Sequence, residues 1–201
     1  MRAATERRRG RGKHDGSLRV LRAAKRSKRP CTGRRTAGLK IPVMEEKDLL
    51  IKFWKKEGRT TRNVLARIPE GSTYTPDPKS RPASEIAWQI VHEEKTLIDG
   101  LEKGVMEWVS VPAPATMREI VEAYDKHLAT FADRLTALDT AKLEAQIPFM
   151  FGTHEVNRST GYAQAWGFLF DIIHHRGQIT TYLRAMGSTV PQVYGPTADE
   201  P

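Results

Sequence analysis

The sequence predicts an all-α protein, a four-helix bundle over residues 44–196 between a disordered basic tail (residues 1–43) and a short C-terminal tail (residues 197–201). After residue 44, apolar side chains recur at steps of three and four over four long stretches, the spacing of amphipathic helices. Segments rich in proline, glycine and serine separate these stretches. Helices of this length joined by loops typically pack as a bundle.

The positive charge of the chain is concentrated at its N-terminus. Residues 1–40 hold 15 of the 33 Lys and Arg residues and two of the 24 acidic residues, so they carry +13 while the rest carries −4. This segment has too few aliphatic side chains to form a core, which predicts disorder. Three interpretations are open. The segment is a solvated tail, it is a targeting or phosphate-binding segment, or the gene start is misplaced and the native chain begins at Met44. Nucleic-acid contact is expected only through this tail.

Cysteine content and hydropathy indicate the compartment. The only cysteine, Cys31, rules out an intramolecular disulfide. No apolar run approaches the ~18 residues of a membrane span. We therefore expect a cytoplasmic protein without membrane contact.

Glycine and proline delimit the first two helices. The first is expected to begin near Met44, to be interrupted at Gly58 and to end at Pro69. The second is expected to begin at the N-cap Ser84 and to end at the C-cap Gly104.

The third and fourth helices have different signals. Thr116 and Glu119 have the spacing of a capping box at the start of the third helix. Residues 140–158 lack a helical period, and Ile147–Phe151 is predicted to be extended. The fourth helix, Thr160–Met186, is apolar almost all round, which predicts a central position.

The fourth helix carries the densest group of polar side chains. Asp171 and His175 are four residues apart and therefore share one face. Carboxylate and imidazole are common ligands of one divalent ion, and a hydrogen-bonded pair is the structural alternative. His174 is expected on the outer surface, Arg176 is expected to pair with an acid on a neighbouring helix, and Gly177 to permit close packing.

A third ligand has to come from another helix, and the second helix offers Gln89, His92 and Glu93. Measured from the centre of the apolar face at 100° per residue, Gln89 lies about 90° away, His92 about 150° and Glu93 about 50°. We interpret Glu93 and Glu94 as part of a charged helix face. Because a ligand must project into the bundle, Gln89 is predicted to lie nearer than His92 to the His175 ring.

Two segments resemble the DinB/YfiT-like superfamily over about residues 44–200. The C-terminal signature comprises His174–Gln178 (HHRGQ), Thr181–Gly187, Val190-Pro191 and Tyr194–Pro196. The second-helix signature is Glu85–Glu94.

The resemblance implies a four-helix bundle that holds a divalent metal with three histidines, one on the second helix and two on the fourth. His175 matches one of these positions, and Asp171 stands where the family usually has another histidine. Gln89 matches the second-helix position in the best register, and His92 would match in a shifted one. The expected metal ligands are therefore Gln89, His92, Asp171 and His175, and the expected cofactor is zinc or nickel.

The resemblance also implies two classes of function. Characterised relatives include enzymes that use a low-molecular-weight thiol, which implies a metal-dependent S-transferase or a hydrolase-like enzyme acting on a small molecule. The alternative is a non-catalytic bundle in which the polar residues form a structural network and which acts as an interaction module. A homodimer is the expected assembly.

Overall fold

The computed structural model describes residues 44–201, and this part of the chain is mostly helical. The elements in chain order are α1 (Glu46–Leu65), α2 (Ala83–Lys103), β1 (Met106–Trp108), α3 (Met117–Ala137), α4 (Thr140–Glu144), β2 (Gln146–Phe151), β3 (His154–Thr160), α5 (Gly161–Leu183) and a 3-10 turn (Arg184–Met186). The prediction of a helical protein is confirmed, but the all-α class is too strict because a small sheet is present. The expectations for residues 1–43 lie outside the described residues.

The four long helices build the core. α1 packs against α3 and α5, and α2 packs against the same two helices. Each contributes a buried apolar stripe, as the periodicity predicts, and α5 is buried along most of its length. None of the described helices is long and apolar enough to cross a membrane.

Local capping chemistry sets several helix ends. The Thr116 hydroxyl accepts a hydrogen bond from the Glu119 backbone N–H, and the Glu119 carboxylate accepts one from the Thr116 N–H, which confirms the capping box. Gly104 ends α2 in the left-handed conformation with φ of 83°, as expected. The prediction of Ser84 as the N-cap of α2 is wrong, because Pro82 is the N-cap and Ala83 is the first helical residue.

Two glycines act differently from their prediction. α1 continues through Gly58, where a Cβ atom would lie 2.5 Å from Leu128 Cδ1, so this glycine lets α3 approach rather than interrupting α1. Gly177 was expected to permit close packing, which is wrong. A Cβ there would meet no atom within 4 Å, because Gly177 lies on the exposed side of α5.

The small sheet is formed by one strand that follows α2 in the chain and two strands that precede α5. Its strand order is β1-β2-β3, with β1 parallel to β2 and β2 antiparallel to β3. β2 confirms the extended segment predicted at Ile147–Phe151 and begins one residue before it. α4 and the other two strands were not predicted, since each is short and lacks a clear period of its own.

Arg176 forms a buried ion pair with a neighbouring helix, as predicted. Its Nη1 lies 2.8 Å from Glu57 Oε2 of α1, and both residues are at most 2 % exposed. The hydroxyl of Tyr194 donates to the same carboxylate at 2.8 Å. The Arg176 guanidinium also donates to the Thr61 hydroxyl, so the buried charges are paired and hydrogen-bonded.

The C-terminal residues are hydrogen-bonded to the rest of the described chain. Asp199 pairs with Arg184 at 3.0 Å and accepts a hydrogen bond from the Val190 backbone N–H. Glu200 pairs with Arg67, which follows α1.

Candidate metal centre

Three side chains from two helices form a compact cluster that could hold a metal ion. Glu93 of α2 and Asp171 and His175 of α5 each offer one ligand atom, and these atoms lie within 4.8 Å of one another. The His175 Nε2 atom lies 3.5 Å from Asp171 Oδ2 and 3.7 Å from Glu93 Oε1. The i, i+4 spacing on α5 positions the first pair, and the packing of α2 on α5 adds Glu93.

The Glu93 carboxyl has a strongly raised pKa. Its side chain is buried, and burial raises the pKa of its carboxyl from 4.5 to about 9. A hydrogen bond from Gln89 lowers this pKa, and the nearby charge of Asp171 raises it. Within residues 44–201, Glu93 Oε2 has no hydrogen-bond partner. Glu93 is therefore neutral at pH 7 unless a cation is present to stabilise its carboxylate.

A chain of hydrogen bonds orients His175. The Gln178 side-chain amide nitrogen lies 3.0 Å from His174 Nε2, so its carbonyl oxygen faces His175 Nδ1 at 2.9 Å. His175 Nδ1 is therefore the protonated nitrogen, and the lone pair of Nε2 faces Glu93 and Asp171. This is the tautomer that a metal ligand needs, with the second ring nitrogen held by an oxygen acceptor.

Gln89 lies between the two buried members of the cluster. Its amide nitrogen lies 2.6 Å from Glu93 Oε1 and 2.7 Å from His175 Nε2, and it donates to both. Arg81 donates to the amide oxygen and fixes this orientation. An amide N–H₂ group therefore joins the same two ligand atoms that a cation would join.

The structure brings three of the four predicted ligands together and separates the fourth. Gln89, Asp171 and His175 are neighbours, and the prediction that Gln89 lies nearer than His92 to the His175 ring agrees with the 2.7 Å contact between Gln89 Nε2 and His175 Nε2. His92 instead packs edge-on against Trp108, with ring centroids 4.6 Å apart. Burial lowers the pKa of His92.

Glu93 is the residue that the ligand prediction missed. The interpretation of Glu93 and Glu94 as a charged surface is wrong, since both are at most 2 % exposed. Glu94 accepts hydrogen bonds from Trp54 and Tyr124, and burial raises its pKa to about 7. The available signal was the position of Glu93 only about 50° from the centre of the apolar face.

The donor set fits a divalent ion chemically. One imidazole nitrogen and two carboxylate oxygens are ligands that zinc and related metals accept in proteins. Such an ion would also neutralise the two neighbouring carboxylates of Glu93 and Asp171.

Comparisons with known proteins agree with this fold. The family model described as DinB family matches residues 44–201. The search of curated proteins gives no match. The structure is similar to that of a DinB-like protein from Bacillus cereus, with a TM-score of 0.58 and 21% identity over 72% of this chain and 95% of that chain. It is also similar to the DinB-like protein YjoA from Bacillus subtilis, with a TM-score of 0.56 and 17% identity over 72% and 97% of the two chains. Because the family model matches more than half of its residues, the chain belongs to the DinB family.

Proposed function

We propose that this DinB-family protein binds one divalent metal ion, zinc or nickel, through Glu93, Asp171 and His175. The observation that carries the proposal is the buried Glu93 carboxyl beside a second carboxyl and an imidazole of the correct tautomer, with one ligand atom of each within 4.8 Å of the others. With both carboxylates ionised and the imidazole neutral, an ion of charge +2 makes the cluster neutral. That balance removes the cost of burying the Glu93 charge.

We further propose that the bound ion serves metal-dependent chemistry on a small molecule, as a thiol-dependent transferase or a hydrolase-like enzyme. A divalent ion lowers the pKa of a bound thiol or water and so generates a nucleophile at neutral pH. In this chain, Gln178 holds the His175 ring in position, and Arg81 holds Gln89 beside the cluster.

A second candidate function is a non-catalytic bundle that acts as an interaction module, for example as a homodimer. The observation that favours it is the Gln89 amide, which donates hydrogen bonds to Glu93 Oε1 and His175 Nε2 without an ion. In that case the cluster is a structural hydrogen-bond network, and added metal would leave stability unchanged.

Zinc titration of the tag-free, metal-free protein separates the two proposals. We expect one zinc ion per chain and a thermal midpoint that rises with zinc and falls again with chelator. Loss of a hydrogen-bond partner of a metal ligand typically weakens metal binding about 10–100-fold. Glu93→Gln removes a ligand itself, so it should weaken zinc binding by more than that. Glu94→Gln is the matched control, because it changes a buried neighbour on the same helix whose hydrogen bonds go to Trp54 and Tyr124. Equal midpoints with zinc and with chelator would support the structural network instead.

Gln89→His tests the role of the second-helix position. Gln89 already contacts the His175 ring, so an imidazole there should add a ligand and raise affinity for zinc or nickel. No gain for Gln89→His, together with a large loss for His92→Ala, would make His92 the third ligand.

A further inference from the structure

An open cleft of about 580 Å³ lies directly beside the candidate metal centre. Its volume is within the range of small-molecule sites, which are mostly apolar with a few polar groups at one place. Four of its lining residues are aromatic, namely Trp108, Phe149, Phe151 and Phe168. Two are acidic, Glu93 and Asp171, and these two lie close together in the candidate metal centre.

The register of the small sheet explains why these rings share one surface. Phe149 and Phe151 are two residues apart on β2 and therefore face the same side. Trp108 of β1 is paired with Phe151, and Asn157 of β3 is paired with Phe149, so their side chains project to that side as well. An irregularity in the pairing leaves Val156 between two paired residues, and it also lines the cleft.

The aromatic wall is incompletely covered. Phe151 is 60% exposed, whereas the Phe149 and Phe168 rings contact each other with centroids 5.7 Å apart. A flat apolar group placed against Phe151 would therefore remove apolar surface from water without displacing a core contact. Glu93 and Asp171 both line the cleft, and their carboxyl groups mark the place where a polar head group would be held.

We propose that the cleft binds the aromatic ring of a small-molecule substrate whose head-group heteroatom reaches the Glu93–Asp171–His175 cluster. This inference rests on the proposed metal-binding function for the head group, and on the aromatic walls for the ring. The aromatic walls and the metal ligands therefore assign the substrate class as a compound that joins an aromatic ring to a metal-ligating head group such as a thiol, an alcohol or a hydroxamate, rather than a purely aliphatic compound.

Two probes with the same head group test the ring site. Benzohydroxamate and acetohydroxamate both ligate zinc through the hydroxamate, and they differ by phenyl against methyl. Burying about 60 Å² more apolar surface, at about 25 cal/mol per Å², corresponds to about tenfold tighter binding. We expect that preference in the zinc-loaded protein by calorimetry, and we expect Phe151→Ala to reduce it several-fold without changing zinc affinity.

Phe170→Ala is the matched control. Phe170 is 62% exposed, almost the same as Phe151, but it stacks on Trp166 and does not line the cleft. The preference for benzohydroxamate should persist in this variant. Equal binding of the two probes to a protein that does bind zinc would overturn the ring site and leave the metal proposal standing.

A protein that binds no zinc would refute the metal proposal, and the ring site is then tested on its own. Indole should bind the metal-free protein, and Phe151→Ala but not Phe170→Ala should weaken it. Absence of indole binding would overturn the inference. A wild-type dimer that only Phe151→Ala converts to a monomer, measured by light scattering, would also overturn it, because a second copy would then occupy the cleft.

Discussion

Replacing Glu93 by glutamine should change stability in opposite directions in the metal-free and the zinc-loaded protein. In the metal-free protein, burial raises the pKa of Glu93 from 4.5 to about 9. The folded chain therefore binds more protons at Glu93 than the unfolded chain between these two pKa values. The contribution of Glu93 to stability is therefore most favourable below pH 4.5 and falls as the pH rises towards 9.

The size of this destabilisation at pH 7 follows from how far pH 7 lies above the ordinary pKa of 4.5. One pKa unit corresponds to about 1.4 kcal/mol, and pH 7 lies two and a half units above 4.5, so keeping this acid buried costs about 3 kcal/mol at pH 7. Glutamine cannot ionise and still accepts the hydrogen bond from Gln89. Glu93→Gln should therefore be more stable than wild type at pH 7 by up to about 3 kcal/mol, with little difference at pH 4.5.

Zinc should reverse the order. An ion at 1,000 times its dissociation constant stabilises a protein by about 4.1 kcal/mol, which exceeds the about 3 kcal/mol advantage of metal-free Glu93→Gln at pH 7. The wild type should gain this stabilisation, whereas Glu93→Gln should gain far less. Urea unfolding at pH 5, 7 and 8.5, with chelator and with zinc, measures both effects. Glu122→Gln, an exposed substitution on α3, is the control and should stay within about 0.5 kcal/mol of wild type. Metal-free Glu93→Gln that is less stable than wild type at pH 8.5 would refute the reasoning.

Substitutions at four further positions test other parts of the structure. Gln178→Ala removes the acceptor of the His175 Nδ1–H and should weaken zinc binding about 10–100-fold, whereas Gln178→Glu keeps an acceptor oxygen and should retain it; zinc titration distinguishes them. Arg176→Met should cost about 3–5 kcal/mol in urea unfolding, because the glutamate it pairs with stays buried, and a cost below about 1 kcal/mol would contradict this. Gly161→Ala should destabilise the protein by about 1–3 kcal/mol, since the new Cβ would lie 2.9 Å from backbone atoms of α4. Gly177→Ala should stabilise it by about 0.5–1 kcal/mol because its Cβ meets no atom within 4 Å, and the opposite order of thermal midpoints for these two variants would be inconsistent with the packing.

The sequence alone was sufficient to predict those features whose interacting residues lie close together along the chain. The capping box at Thr116 and the left-handed glycine at Gly104 involve residues within one turn of each other, so their spacing predicts them. The shared face of Asp171 and His175 follows from the helical period alone. The pairing of Arg176 with an acid on a neighbouring helix was expected, because a cation on an apolar helix needs an acidic partner.

The tertiary structure decided the features that depend on how separate segments pack. The helical period places Glu93 near the apolar face, but only the rotation of α2 against α5 brings its carboxyl to His175 rather than to the core site that Glu94 occupies. The three residues of β1 have no strand signal of their own and become a strand because β2 supplies their hydrogen-bond partners. The aromatic cleft depends on that same pairing, since Trp108 and Phe151 are 43 positions apart in sequence and meet only through the register of two strands. A sequence pattern fixes which side of its own element a residue occupies, and the packing of elements fixes what that side faces.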